Sequence, residues 1–397
     1  MTLPLAGTRI LAMTQVGAGP FAALQLADFG AEVIKIEDPA VGGDSTRGIP
    51  PFTEGGDSLF FQAVNRNNRS FTLNLRVPGG RAIFHELVRI SDGLICNPRG
   101  DLVEKLGLNY AALGPVNPRF VCCAITGFGT TGPRAAQPAY DYLIQALAGI
   151  MSLTGEPDGP PARAGVSMID FTAGLNAAIG TLLGLMRARA TGRGGDVDVS
   201  LLESGLSLLN YVAVWTLNAG YVPERVAHSG HLSVVPCQNF ETADGWIVVM
   251  CQKEAWWPRL CALMDLPDLA TDPRFATFQD RYANRSTLLP ILIDRFKQRP
   301  SAEWLVALEA AGIPSGPVNT VEEALREPQL EARGTIIGVD HPRFGQVRQI
   351  GPVVRLSGVE TPRLPGPALG ADTETILREY LGKSDDDIAA LRAVRAI

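Results

Sequence analysis

Six cysteines among 397 residues (Cys96, Cys122, Cys123, Cys237, Cys251 and Cys261) fall in no CxxC or paired-ribbon spacing, so neither a zinc ribbon nor a disulfide framework is encoded. A chain of this length builds a core without such staples, and the six read as small buried hydrophobes in a reducing compartment. Basic tracts are missing too. With 35 Lys and Arg against 41 Asp and Glu, the net charge is −6, nothing attracts a phosphate polymer, and no nucleic-acid partner is expected. The opening Met1-Thr-Leu-Pro-Leu-Ala-Gly7 has no charged n-region, and no uninterrupted apolar run is long enough to span a bilayer. A cytoplasmic protein with no membrane partner is the expectation. Histidine is scarce, at four residues. The pair His228-x-x-His231 sits beside Gly230 without an HExxH pattern or a carboxylate at ligand spacing, and reads as a loop pair rather than a metal site. With Cys122-Cys123 in an apolar strand, a Cys-His or Ser-His nucleophile has little support.

What is present is an ordinary globular composition, 46% hydrophobic and 19% charged. The chain opens with a βαβ signal: a strand at Arg9–Met13, a glycine turn Val16-Gly-Ala-Gly-Pro20, a helix to Phe29 and a strand at Glu32–Ile36. Strands at Arg69–Leu75, Gly93–Cys96 and Phe120–Ile125, with a helix over Gly80–Ser91, continue the alternation. These predict an α/β fold with a large doubly wound, Rossmann-like parallel sheet over residues 1–200. A linker over 201–225 leads to a smaller α+β domain at 226–325, where Gln238–Met250 reads as a hairpin turning at Asp244-Gly245. Residues 326–397 then serve as a linker and a helical tail that returns to the large domain.

Asp170 is the carboxylate that stands out, set in the apolar run Gly165-Val-Ser-Met-Ile-Asp-Phe-Thr-Ala-Gly174 ahead of a helix over roughly Phe171–Arg189. A buried carboxylate is paired, capping or functional; one reading makes Asp170 the N-cap of that helix. Separately, Gly17-Ala-Gly19-Pro-Phe-Ala22 fits the permissive G-x-G-x-x-G/A fingerprint, with Glu37 about where a ribose-binding acid belongs. An NAD-dependent oxidoreductase is therefore an alternative, opposed by the absence of a second such half and of an evident hydride-transfer acid or base.

An ordered set of short motifs runs through the chain: Ala18-Gly-Pro20, Leu26-Ala-Asp-Phe-Gly-Ala-Glu-Val-Ile-Lys-Ile-Glu37, Gly43-Asp-Ser-Thr-Arg-Gly48, Asn65-Arg-Asn-Asn-Arg-Ser70, Thr126-Gly-Phe-Gly129, Tyr140-Asp141, Asp170, Thr191-Gly-Arg-Gly194, Asp272-Pro-Arg-Phe275 and Gly312-Ile-Pro-Ser-Gly-Pro-Val318. No single one is specific, but their order over essentially the whole chain resembles the class III CoA transferases. The resemblance implies an interlocked homodimer with active sites between the large domain of one subunit and the small domain of the other. It also implies no permanently bound cofactor, with CoA thioesters and carboxylic acids as the substrates. Asp170 stands at the family's nucleophile, which carries the acyl group as an anhydride and then CoA as a thioester. CoA-binding positions map onto Gly17, Ala18, Leu73, Arg76, Asn97, Pro98, Arg99, Lys105, Tyr140 and Asp141, with Arg76, Arg99 and Lys105 as the phosphate-binding cations.

Three positions depart from the family pattern. Gly17 stands where some members carry glutamine, Asp38 where several carry arginine, and Pro98-Arg-Gly-Asp101 replaces the usual Phe-x-Pro-Gly. Racemases of the superfamily place a histidine where Tyr140 stands, and a phenol is a poor base at neutral pH, so racemisation is a second alternative. The glycine-run loop of oxalate-directed members is replaced by His228-Ser-Gly-His-Leu-Ser-Val-Val-Pro236, which argues against oxalate. That segment is similar to members handling C4–C6 dicarboxylates, with His231 and Ser233 as candidate acceptor contacts.

Overall fold

Short apolar runs alternating with helices force a parallel sheet, since each crossover must cover a face of it. The computed structural model describes residues 3–397 and contains one such sheet of six strands. They are β1 (Arg9–Met13), β2 (Glu32–Glu37), β3 (Asn68–Thr72), β4 (Gly93–Cys96), β5 (Val121–Thr126) and β6 (Gly195–Ser200). The spatial order is β3-β2-β1-β4-β5-β6, every pair parallel. Strand order reverses between β1 and β4, which opens a crevice at their carboxyl ends, the usual place for a ligand in such a sheet.

Helix α1 (Ala18–Ala27) follows the glycine turn, a short helix α2 spans Asp141–Leu147, and α3 (Met168–Thr191) runs for 24 residues. The inner face of α3 is built of small residues, including Ala173, Gly174, Ala177, Ala178 and Ala188, all buried. Their size sets the packing distance: a Cβ on Gly174 would lie 2.8 Å from the Ala18 carbonyl oxygen of α1. By length and composition α3 could cross a membrane, which the sequence reading did not anticipate; here 44% of its most apolar window is buried inside the protein. Its outer face carries Leu175, Ile179, Leu183 and Met186 exposed, at spacings that align them in one stripe.

The chain divides into two compact units: residues 1–148, 165–210 and 331–397 form the larger, and 149–164 with 211–330 the smaller. Residues 201–225, expected as a linker, instead contain helix α4 (Leu201–Leu209) and a second helix Tyr211–Ala219, parted where Asn210 takes a positive φ of 41°. The Gly/Pro-rich stretch 149–164, without periodicity of its own, belongs to the smaller unit, where the Arg225 guanidinium donates to the Gly159 and Pro160 carbonyls. At the other end of the chain, Ile376, Leu377 and Ile388 join the core of the large sheet beside Leu11, Ile34 and Phe71.

In the smaller unit, β7 (Cys237–Glu241), β8 (Trp246–Met250) and β9 (Ser315–Pro317) form an antiparallel sheet with β8 central. The hairpin turns at Asp244-Gly245 as expected. Its core packs Phe240 against Phe296 (4.3 Å between ring centres) and Phe296 against Trp304 (4.8 Å) with tilted rings, and the Trp304 indole donates to the Phe296 carbonyl at 2.8 Å.

Candidate functional site

The crevice at the β1/β4 reversal is a cavity of about 460 Å³. Its walls come from the turn after β1 (Gln15 to Ala18), the turn after β4 (Asn97 to Arg99), Thr126 and Gly127 after β5, the segment Gln137 to Tyr140, and Asp170. The first two turns are tied together: the Asn97 amide accepts from Gln15 N–H at 2.9 Å and donates to the Gln15 carbonyl at 2.8 Å. Buried ion pairs brace the first turn from below. Lys35 contacts Asp44 at 2.8 Å and donates to the Thr14 carbonyl at 2.8 Å, while Arg47 holds Glu37 at 2.7 Å. This bracing has something to restrain, because Val16, a β-branched residue, sits at φ 66°.

Glu37 is thereby spoken for. Both its oxygens are occupied by the Arg47 guanidinium, the Ser70 hydroxyl and the Asp44 N–H, and it is buried. Burial opposes its charge, but the Arg47 hydrogen bonds and the Lys35 charge hold its carboxyl below the ordinary value. No oxygen is left for a ribose, which removes the residue that supported a nicotinamide reading.

Asp170 is the third residue of α3, not its N-cap; that position is Ser167, whose side chain makes no capping bond. The cap comes from α2. Asp141 Oδ2 accepts from the Ile169 N–H at 2.7 Å and the Asp170 N–H at 3.1 Å, and Gln145 donates to Asp141 Oδ1 at 2.6 Å. The Asp170 carboxylate is left facing the cavity, and among the described residues no group donates to it. Burial, and then the nearby charge of Asp141, push its pKa up to about 7. A helix N-terminus alone would have lowered it. Gly17 lies against it: a Cβ there would fall 2.5 Å from Asp170 Oδ2 and 3.1 Å from Cγ. Phe21 and Phe171, with ring centres 4.9 Å apart, pack at the first turns of α1 and α3.

The sequence-derived contacts sort into three groups. Gly17, Ala18, Asn97, Pro98, Arg99 and Tyr140 line the cavity with Asp170. Leu73 and Asp141 do not; Leu73 is packed in the hydrophobic core, and Asp141 is buried as the cap of α3. Arg76 and Lys105 are exposed and outside the lining. The departure at Asp101 has a visible effect: its carboxylate binds Arg99 and, at 2.7 Å, Lys105, and these two hydrogen-bonding cations hold it well below the usual carboxylate range.

His231 and Ser233 lie in the smaller unit. His231 lines a cavity of about 440 Å³ together with Arg225, Gln238, Tyr282 and Arg285, whereas Ser233 does not line it. His231 Nδ1 accepts from the Ser233 and Val234 N–H groups, both at 3.1 Å, and burial lowers its pKa. The neutral ring therefore carries its proton on Nε2, 3.4 Å from the Tyr211 hydroxyl, and a protonated His231 is disfavoured. The six cysteines are all free and buried, as expected; burial pushes the Cys123 thiol up to about 12.

The sequence matches the model of CoA-transferase family III over residues 5–373. The succinyl-CoA:glutarate CoA-transferase of Homo sapiens is 36% identical over 98% of this chain and 88% of its own length. The acetyl-CoA:oxalate CoA-transferase of Acetobacter aceti is 38% identical over 95% of this chain and 96% of its own. A crystal structure of a CAIB/BAIF family protein from Brucella suis superposes with a TM-score of 0.83 at 35% identity, covering 96% of this chain and all of that one. With agreement over nearly its full length, the chain belongs to CoA-transferase family III and is a CoA-transferase.

Proposed function

We propose that this protein moves CoA from an acyl-CoA such as succinyl-CoA to a small dicarboxylate, with Asp170 as the covalent carrier. The observation that carries the reading is the Asp170 carboxylate itself, unpartnered at the end of the crevice and with its pKa raised to about 7. Its oxygen attacks the thioester carbonyl, the C–S bond breaks, and the thiolate departs with the electron pair, leaving a mixed anhydride. The thiolate then attacks the Asp170 carboxyl carbon and expels the donor acid, forming an aspartyl-CoA thioester. The acceptor carboxylate repeats the sequence in reverse, and no net proton is consumed. Both intermediates hydrolyse readily, and the apolar neighbours Phe21, Ile169 and Phe171 help to keep water away.

The dicarboxylate assignment rests on the two relatives, whose named acceptors, glutarate and oxalate, differ in chain length. The oxalate enzyme, at 38% identity, weakens the sequence-based argument against oxalate. Succinyl-CoA offered with a panel of mono- and dicarboxylates tests the proposal: dicarboxylates should give the higher kcat/KM, and a preference for monocarboxylates would reject it. In this reading His231 contacts the acceptor as a neutral donor, and Ser233 serves only to orient its ring. The apolar stripe on α3 suits burial against a second copy of the chain, in keeping with a homodimer.

Arg99, exposed at the cavity lining, is proposed to leave its partner Asp101 for a CoA phosphate, an exchange of one weak surface pair for another charge-assisted one. Arg99→Ala should raise KM for acyl-CoA with kcat little changed. Arg76→Ala, outside the cavity, should do less; equal KM values in all three proteins would place the phosphates elsewhere. Gly17→Ala should fold normally, since φ there is −99°, yet lower kcat on the order of 10- to 100-fold by displacing the Asp170 carboxylate. Wild-type turnover in Gly17→Ala would show that the carboxylate position is not critical.

A further inference from the structure

We propose that Asp141 is a positioning residue for Asp170, aiming the nucleophile through the N-terminus of α3 and setting its basicity with a fixed negative charge. This rests on Asp170 being the covalent carrier. Asp141 is 4% exposed and lies outside the lining of the cavity. Its carboxylate takes the first-turn N–H groups of Ile169 and Asp170 from 28 and 29 residues away in sequence. Those amides would otherwise be free to bind the Asp170 side chain, as a helix N-terminus ordinarily binds an anion. Gln145, one turn along α2, fixes the other Asp141 oxygen. The nucleophile is thus denied the donors that would make it a weaker base and faces a like charge instead.

That arrangement suits the chemistry of a carboxylate carrier. The free Asp170 carboxylate is destabilised by Asp141, whereas the anhydride and the thioester are neutral at Asp170 and escape the repulsion. Asp141 therefore lowers the gap between resting enzyme and each covalent state.

Other charges near the site are accounted for. Helix α1 (Ala18–Ala27) carries no ionisable side chain. On α2 the remaining one is Tyr142, and Tyr140 precedes it. Helix α4 offers Glu203, bound to Ser200. On β5, Cys122 and Cys123 stay protonated through burial. On β6, Asp196 is held by the Tyr110 N–H and Asp198 by Thr130. Asp44, beneath the Val16 turn, is paired with Lys35. The Arg187 and Arg189 side chains of α3 lie about 25 Å along the helix from Asp170.

The test is the pH dependence of kcat/KM for wild type, Asp141→Asn and Asp141→Ala, with CoA labelling of Asp170 measured alongside. Asparagine keeps an acceptor for the α3 amides but not the charge; alanine loses both. Both variants should move the acid limb to lower pH by roughly one pH unit and lower the plateau rate on the order of tenfold, while only alanine markedly lowers Tm. An acid limb that stays in place in both variants overturns the proposal. Absence of CoA on Asp170 in the wild type would instead refute the carrier role beneath it.

Discussion

Asp170→Asn should leave a folded protein that exchanges CoA on the order of 10⁴-fold more slowly or worse, and that is more stable than the wild type at pH 8. The first effect follows because an amide cannot form the anhydride. The second follows from the raised pKa. An acid whose folded value is about 7, against an ordinary 3.8, holds its proton more tightly in the folded state. Below about pH 4 the group costs nothing; as pH rises toward 7 the unfolded chain ionises first and stability is lost, and above 7 the loss is constant. Asparagine carries no such cost, so its advantage should appear between pH 4 and 7 and reach on the order of 2–4 kcal/mol. Thermal denaturation of both proteins across that range checks it. A mere capping residue would show the reverse, a loss of about 0.5–2 kcal/mol with chemistry spared.

Lys35→Met should be the most damaging single change away from the crevice, costing about 3–5 kcal/mol because it strands a buried carboxylate. Lys35 is 0% exposed and Asp44 2%, and the ammonium is the charge that outweighs burial to keep the Asp44 carboxyl below its ordinary value. The same pair steadies the turn in which Val16 takes its positive φ, so exchange activity should fall with stability. Removing both charges in Lys35→Met/Asp44→Asn should recover much of the stability, since no buried charge is left unpaired and the amide oxygen still accepts from the Thr46 N–H. Denaturant titration reads this directly. A single variant that loses less than about 1 kcal/mol would show that the ion pair does not brace the turn.

Much of the sheet was legible because its strands announce themselves. Arg9–Met13 and Gly93–Cys96 are short apolar runs ending in turns, and the structure gives them those bounds. Strand β6 was harder, because Gly195-Asp-Val-Asp-Val-Ser200 alternates charge with valine and lies at the sheet edge, where pairing with β5 rather than hydrophobicity defines it. Asp170 could be picked out as a carboxylate in apolar surroundings. Its place as the third helical residue could not, since the cap that frees it comes from Asp141, a partner only tertiary structure brings near. Glu37 shows the same limit in reverse: its spacing suited a ribose, and only the packed Arg47 and Ser70 reveal that it is already engaged.

The covalent carrier is tested most directly by incubating the protein with succinyl-CoA in the absence of acceptor, followed by mass spectrometry of the peptide containing Asp170. The expected result is a CoA adduct on Asp170 that forms in the wild type, disappears on addition of the acceptor acid and is absent from Asp170→Asn. Full exchange activity with no adduct on Asp170, or with CoA on another residue, would contradict it.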